Sequence, residues 1–283
     1  MRLNTGRSSN VEDRRGRGGM MVGGGLGAVV LAIVAMFLGV DPGAIGGGAA
    51  PDPTAPGQGP SGQAPSADDA TADTVSQVLR STEITWQRNF QQLGRQYTEP
   101  GLVLFSGSDQ SGCGFAQAAM GPFYCPRDQK VYIDLSFFRE LHERFGAPGQ
   151  FAEAYVIAHE VGHHVQNELG IAQQVEQAQQ ASGSRAEANT YSVRLELQAD
   201  CFAGVWAAQA RQRGELEISH AEVEGAIAAA TAIGDDRLQQ ESQGRVIPDS
   251  FTHGSSEQRV RWFTRGLQTG DMNQCDTFAA RSI

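Results

Sequence analysis

The stretch Gln150–Leu169, QFAEAYVIAHEVGHHVQNEL, decides how this chain is read. Tyr155, Val156, Ile157, Val161 and Val165 give it the character of a largely buried helix, and Gly170 stands where such a helix can end. Within it, His159 and His163 are four residues apart. They share one helix face, so both imidazoles can converge on a single ion. Zinc accepts neutral imidazole nitrogen in this geometry. Glu160 follows the first histidine directly and stands beside such an ion, where a carboxylate can take a proton from a zinc-activated water and hand it to a leaving amine. Imidazole and carboxylate groups on a buried helix need partners, which favours an ion site over two surface histidines. His164 lies about 100° round the helix from His163 and is expected to pack or hydrogen-bond instead.

Two histidines leave a catalytic zinc short of a third protein ligand. Val193–Ala207, VRLELQADCFAGVWA, supplies candidates: Glu196 and Asp200 are again i and i+4, set among Leu195, Leu197, Phe202 and Trp206. A buried carboxylate pair without a cation is costly. The economical assignment gives Glu196 to zinc and Asp200 to the free ring N–H of a ligand histidine. A salt bridge from Glu196 to Arg194, or Asp200 as ligand with Glu196 outside, are the competing readings.

Outward from these segments, the 283 residues carry a formal net charge of −10 and 40% hydrophobic residues. Five arginines (Arg2, Arg7, Arg14, Arg15, Arg17) gather at the N-terminus, so the remainder is more acidic still, and the footprint of a nucleic-acid binder is absent. The uncharged run Met20–Val40 is long enough to cross about 30 Å of hydrocarbon. A cleaved signal peptide is the competing reading, and an uncleaved anchor is preferred because no A-x-A site follows. The expected organisation is a basic cytoplasmic segment at 1–19, a transmembrane helix at 20–40, a disordered Pro/Gly/Ala-rich tether at 41–73 and one folded domain at 74–283. Arginines before the span would stay inside, placing the domain on the extracytoplasmic side of a bacterial cytoplasmic membrane. In an exported domain four cysteines suggest disulfides, and Cys113–Cys125 with Cys201–Cys275 is the preferred pairing of three.

Periodicity predicts a first helix from Thr74 to about Gln96, extended chain at Leu102–Phe105 and Pro122–Leu135 with a turn at PRDQ, and then helices. These run from about Arg185 to Arg213, from Ser219 with a Ser-x-x-Glu capping box to Glu222, and from near Ser255 to Gly270 with Gln258 completing a second box. His142 and His220 show no ligand pattern. No GxSxG, P-loop or paired C-x-x-C spacing is evident.

An HExxH helix followed some thirty residues later by E-x-x-x-D is similar to the gluzincin arrangement, including membrane-associated peptidases with an E-x-x-A-D second motif, here Glu196-Leu-Gln-Ala199-Asp200. The chain as a whole resembles the bacterial putative neutral zinc metallopeptidase family. Arg7–Gly16, GPFYCP (Gly121–Pro126), VYIDLSFF (Val131–Phe138), AHEVGHHVQ (Ala158–Gln166), RLELQADCFAGVWA and THGSSEQRVRWF (Thr252–Phe263) carry the likeness. It implies a zincin-like domain of α+β class, mostly helical with a small antiparallel sheet, Zn²⁺ as cofactor and a peptide or protein as substrate. It also implies that His253-Gly-Ser-Ser-Glu-Gln-Arg259, with glycine where relatives of that kind have proline, returns to the site. There His253 or Arg259 would stabilise an oxyanion; a plain helix start is the competing reading. By the same analogy, peptide would add along an edge strand near Val131–Leu135. Other functions compatible with the residues are a zinc-stabilised envelope scaffold, in which Glu160 has no task, and an amide hydrolase of the deformylase kind, for which Cys201 is a poorer ligand than Glu196.

Overall fold

The computed structural model describes residues 1–15, 70–147 and 149–283. The expected span at 20–40 and nearly all of the tether lie outside the described residues, and no helix among those described is long and apolar enough to cross a membrane.

The structure is mostly helical with small sheets, and its elements follow local chemistry closely. Helix α1 (Ala70–Gln92) begins and ends four residues before the expected bounds. Gly94 takes φ 68°, and the Arg95 N–H returns to the Phe90 carbonyl at 2.9 Å, which closes the last turn before Gln96. Strand β1 (Arg2–Leu3), β2 (Val11–Asp13), β3 (Gly101–Phe105), β4 (Ser108–Ser111), β5 (Gly114–Gln117), β6 (Phe123–Cys125) and β7 (Lys130–Asp134) precede the remaining long helices, and β8 (Leu216–Glu217) pairs with β1. Helices α2 (Ser136–Glu143), α3 (Gln150–Leu169), α4 (Ile171–Ala181), α5 (Arg185–Gln212), α6 (His220–Ala232), α7 (Asp235–Gln243) and α8 (Ser256–Thr269) complete the domain. Both expected capping boxes are present, at Ser219–Glu222 and Ser255–Gln258. Gly170 (φ 79°) ends α3 where expected.

The four-stranded sheet has the order β2-β3-β7-β6 and is mixed, which corrects the expected antiparallel sheet. Only β6 and β7 are antiparallel, joined through the turn at Pro126–Gln129. The hairpin β4–β5 and then β6 are interposed between β3 and β7, so β7 returns to β3 as a parallel neighbour. Strand β7 is therefore interior, and the free edge beside α3 belongs to β6; this also corrects the expectation of an edge near Val131–Leu135.

Residues 1–15 are not a separate segment. Strand β2 is a parallel neighbour of β3, β1 pairs with β8, and the Ser8 hydroxyl donates to the buried Glu83 carboxylate, to which the Asn10 amide also donates at 2.9 Å. Lys130 pairs with Glu12, and Arg14 with Asp109 at 3.0 Å. The N-terminal arginines are thus partly spent on the domain's own carboxylates.

Helix α3 runs through the core, with Phe151, Tyr155, Ile157 and Val161 fully buried. Helix α5 crosses it where Gly162 faces Ala199: a Cβ added at Gly162 would sit 3.1 Å from the Ala199 Cα and carbonyl oxygen. Helices α5 and α8 meet still more closely. A Cβ at Gly204 would lie 2.2 Å from the Phe263 oxygen, and one at Gly266 2.0 Å from the Cys201 oxygen. The disulfides are Cys113–Cys125, which ties the β4–β5 turn to β6, and Cys201–Cys275, which ties α5 to the C-terminal segment.

Candidate metal centre

The crossing of α3 and α5 places three ligand atoms together. The Nε2 atoms of His159 and His163 are 3.2 Å apart, and Glu196 brings its two carboxylate oxygens to 3.2 Å from the first and 3.4 Å from the second. Nitrogens about 2.0–2.1 Å from a tetrahedral zinc would stand about 3.3 Å from each other, so the spacing fits that ion. The protonation pattern agrees. His159 Nδ1 lies 2.8 Å from Asp200 Oδ1, and His163 Nδ1 lies 2.9 Å from Gln166 Oε1. Both acceptors require N–H on the Nδ1 side, which leaves two Nε2 lone pairs and a carboxylate facing one point. A cation bound between them satisfies that arrangement. No other group of three His, Cys, Asp or Glu among the described residues brings its ligand atoms within 4.8 Å of one another.

The electrostatics point the same way. Burial works against charge on His159, yet Asp200 and Glu196 raise its pKa to about 10. Glu196 is partly buried, which works against its charge, but the two histidines hold its carboxyl well below the usual range. These are the responses of an anionic pocket that stabilises positive charge. Glu160 lines the same cleft and is 8% exposed. Its burial raises its pKa against the opposing pull of His159 and His163.

Asp200 is fully buried, and Arg259 holds it with Nε and Nη2, each donating at 2.9 Å to one of its oxygens. The Tyr155 hydroxyl donates to Asp200 Oδ1 at 2.6 Å. Arg259 Nη2 approaches His159 on its Nδ1 side, at 3.5 Å, the side turned from the ligand atoms. Arg259, expected to face an oxyanion, has donors engaged by Asp200, Tyr155 and the Ile233 oxygen, while its side chain also lines the cleft. Arg194, the alternative partner for Glu196, instead donates to the backbone oxygens of Thr277 and Ala280.

His253 does reach the cleft wall. Asp235, fully buried, accepts the backbone N–H groups of Thr252, His253 and Gly254 and stands 3.2 Å from His253 Nδ1. His253 is near enough to Glu196 for their charges to interact. His164 is excluded as a ligand because both nitrogens are engaged: Nε2 is 2.6 Å from the Thr98 oxygen and Nδ1 is 3.0 Å from the Tyr124 hydroxyl of β6. It ties the edge strand to α3 instead. His142 lies beside Glu153, and His220 is exposed on α6.

The sequence profile of a family described as "Putative neutral zinc metallopeptidase" matches residues 1–278. The chain belongs to the putative neutral zinc metallopeptidase family. It is 50% identical over 279 residues to the uncharacterized protein YpfJ of Escherichia coli K12, covering 96% of each chain. It is 51% identical over 197 residues to the uncharacterized proteins Mb2605 of Mycobacterium bovis and Rv2575 of Mycobacterium tuberculosis, covering 66% of this chain and 65% of theirs. No solved structure matches. The match to the family begins at residue 1, in keeping with an N-terminal segment that is built into the domain.

Sequence reasoning overlooked three members of this centre: Gln166, Tyr155 and Asp235. Gln166 was within reach, since it falls three residues after His163 on the same helix face. Tyr155, four residues before His159, carries the same periodic signal. Nothing local distinguished Asp235, whose task is to gather backbone N–H groups from a loop 17 to 19 residues away.

Proposed function

We propose that the protein is a zinc-dependent peptidase that hydrolyses peptide bonds, with His159, His163 and Glu196 holding the metal and Glu160 acting as general base. The observation that carries this reading is the convergence of two Nε2 lone pairs and a carboxylate at 3.2–3.4 Å, with a further buried carboxylate, Glu160, beside them in an open cleft. When bound, zinc supplies a Lewis acid that acidifies a water and polarises a carbonyl.

The remaining work falls to the chain's own side chains. Glu160 takes the proton of the attacking water and passes it to the departing amine. Asp200 and Gln166 fix the ring orientation of the two histidines, and Arg259 and Tyr155 keep Asp200 ionised and in place. His253, fixed through Nδ1 by Asp235, presents its other nitrogen as a donor to oxygen charge developing on the substrate. The free edge of β6 offers backbone groups to an extended peptide. A scaffold role uses the same ligands but leaves Glu160 without a task.

Glu160→Gln tests the assignment, because it keeps shape and removes the base. The expected outcome is full zinc content with cleavage of a broad peptide library reduced about 100-fold or more. Equal cleavage by both proteins would remove Glu160 from the mechanism.

A further inference from the structure

Large apolar side chains exposed to water are few among the described residues, and three of the five line one cleft. Among the described residues they are Leu93, Phe115, Met120, Val246 and Ile247. Phe115, Met120 and Ile247 line the cleft that contains the metal centre, and Val246 adjoins Ile247. Phe115 is 55% exposed and Met120 41%, although neighbouring core positions are fully buried.

Both lips are fixed structures. Phe115 stands on the β4–β5 hairpin, which is held by the Cys113–Cys125 disulfide, by the Gly112 N–H on Asp128 at 2.6 Å and by the Arg14–Asp109 pair. Met120 closes the turn that follows. On the other lip, the Ile247 N–H donates to the buried Gln239 side chain at 2.8 Å, and Gln239 in turn donates to Ser250. Rigid, solvent-facing apolar groups lose free energy to water unless something covers them. Between the lips the cleft encloses about 1310 Å³, more than the roughly 300–1,000 Å³ of a small-molecule site. Its floor adds Phe123, Phe137, Phe145 and Leu238.

We propose that this cleft selects extended polypeptide carrying large apolar side chains next to the bond to be cut, with Phe115, Met120 and Ile247 covering them. The occupant is a chain and not a small molecule, because these residues share the cleft of the candidate hydrolytic centre and the space exceeds what a small ligand fills. Such sequences are buried in folded proteins, so the substrate class is unfolded or unassembled chain. The proposal deepens the peptidase reading and rests on it.

The test reads binding, so that it can fail separately from hydrolysis. The zinc-loaded full chain carrying Glu160→Gln is titrated with fluorescent dodecapeptides of Gly, Ser and Asn that bear either two central leucines or two serines. The leucine peptide is expected to bind about tenfold tighter or more, as one buried large apolar side chain suffices for that factor. Phe115→Ser, Met120→Ser and Ile247→Ser together should abolish the preference, leave the serine peptide's affinity unchanged and leave thermal stability unchanged. Equal binding of the two peptides, or a preference that survives the three substitutions, overturns the proposal. Lip-dependent binding to phosphatidylglycerol vesicles with no preference between peptides also overturns it, and makes the lips a membrane contact.

Discussion

Each candidate ligand histidine is held by the nitrogen that does not face the metal. For His159 the partner is Asp200, itself held by Arg259 and Tyr155; for His163 it is Gln166, whose amide donates at 2.7 Å to the Leu195 oxygen and at 3.1 Å to Gln198. These contacts fix ring orientation before any ion arrives, and losing such a partner typically weakens metal binding about 10–100-fold. Gln166→Leu should therefore lower zinc affinity by that factor in a chelator competition while the far-UV spectrum is unchanged; unchanged affinity would show that Gln166 serves only packing. Arg259→Ala should act differently. It strands Asp200 as an uncompensated buried charge, at a cost of about 3–5 kcal/mol, so lowered thermal stability should accompany lowered zinc affinity. At this scale the sequence made the ligands legible because i, i+4 spacing on a helix is a local signal. Arg259 was placed near the site, but its hold on Asp200 was not legible, since which side of His159 it approaches depends on how α8 packs, and no spacing within one segment encodes that.

The helices reach their close crossings through missing side chains. Gly162 lets α5 approach α3, which is what carries Glu196 to within 3.4 Å of both histidines. Gly266 and Gly204 do the same for α5 and α8, where an added Cβ would fall at 2.0–2.2 Å from a backbone oxygen. Neither helix can yield without moving the Asp200–Arg259 pair, which spans the same two elements. Gly266→Ala should cost at least the ~1–3 kcal/mol of an overpacked core and lower the melting temperature by about 5 °C or more; a melting curve superimposable on wild type would contradict the crossing. Helix ends were readable from Ser-x-x-Glu, Ser-x-x-Gln and the terminal glycines, because capping is local chemistry. The short helices α2, α4 and α7 and the parallel pairing of β3 with β7 were not. Their periodic signal is brief, and parallel pairing is decided by the intervening hairpin, which no alternation of residues within a strand reports.

On the scale of the molecule, residues 1–15 and 70–283 form one folded unit, with β1 on β8 and β2 on β3. Paired strands must share a compartment, so the prediction is that these two parts lie on one side of any membrane the chain meets. The pairing puts the expectation of an N-terminus inside and a domain outside to a direct test. Arg2→Cys with Glu217→Cys, a directly opposed antiparallel pair, should form an intramolecular disulfide in intact cells grown with an oxidising compartment available to the domain. Absence of that crosslink, with the N-terminal cysteine labelled only from the cytoplasmic face, would contradict the shared compartment. The sequence hid this arrangement because the arginines looked like a topological signal, while the partners Asp73 of Arg7 and Asp109 of Arg14 are brought to them only by folding. The central claim, that this fold assembles a zinc hydrolytic centre at His159, His163 and Glu196, is tested most directly by following metal content and peptide cleavage in one preparation through chelation and re-addition of zinc. The account predicts one zinc per chain and library cleavage that disappears with the metal and returns with it. Cleavage indifferent to chelation, or a fully zinc-loaded protein that cuts no peptide, would contradict it.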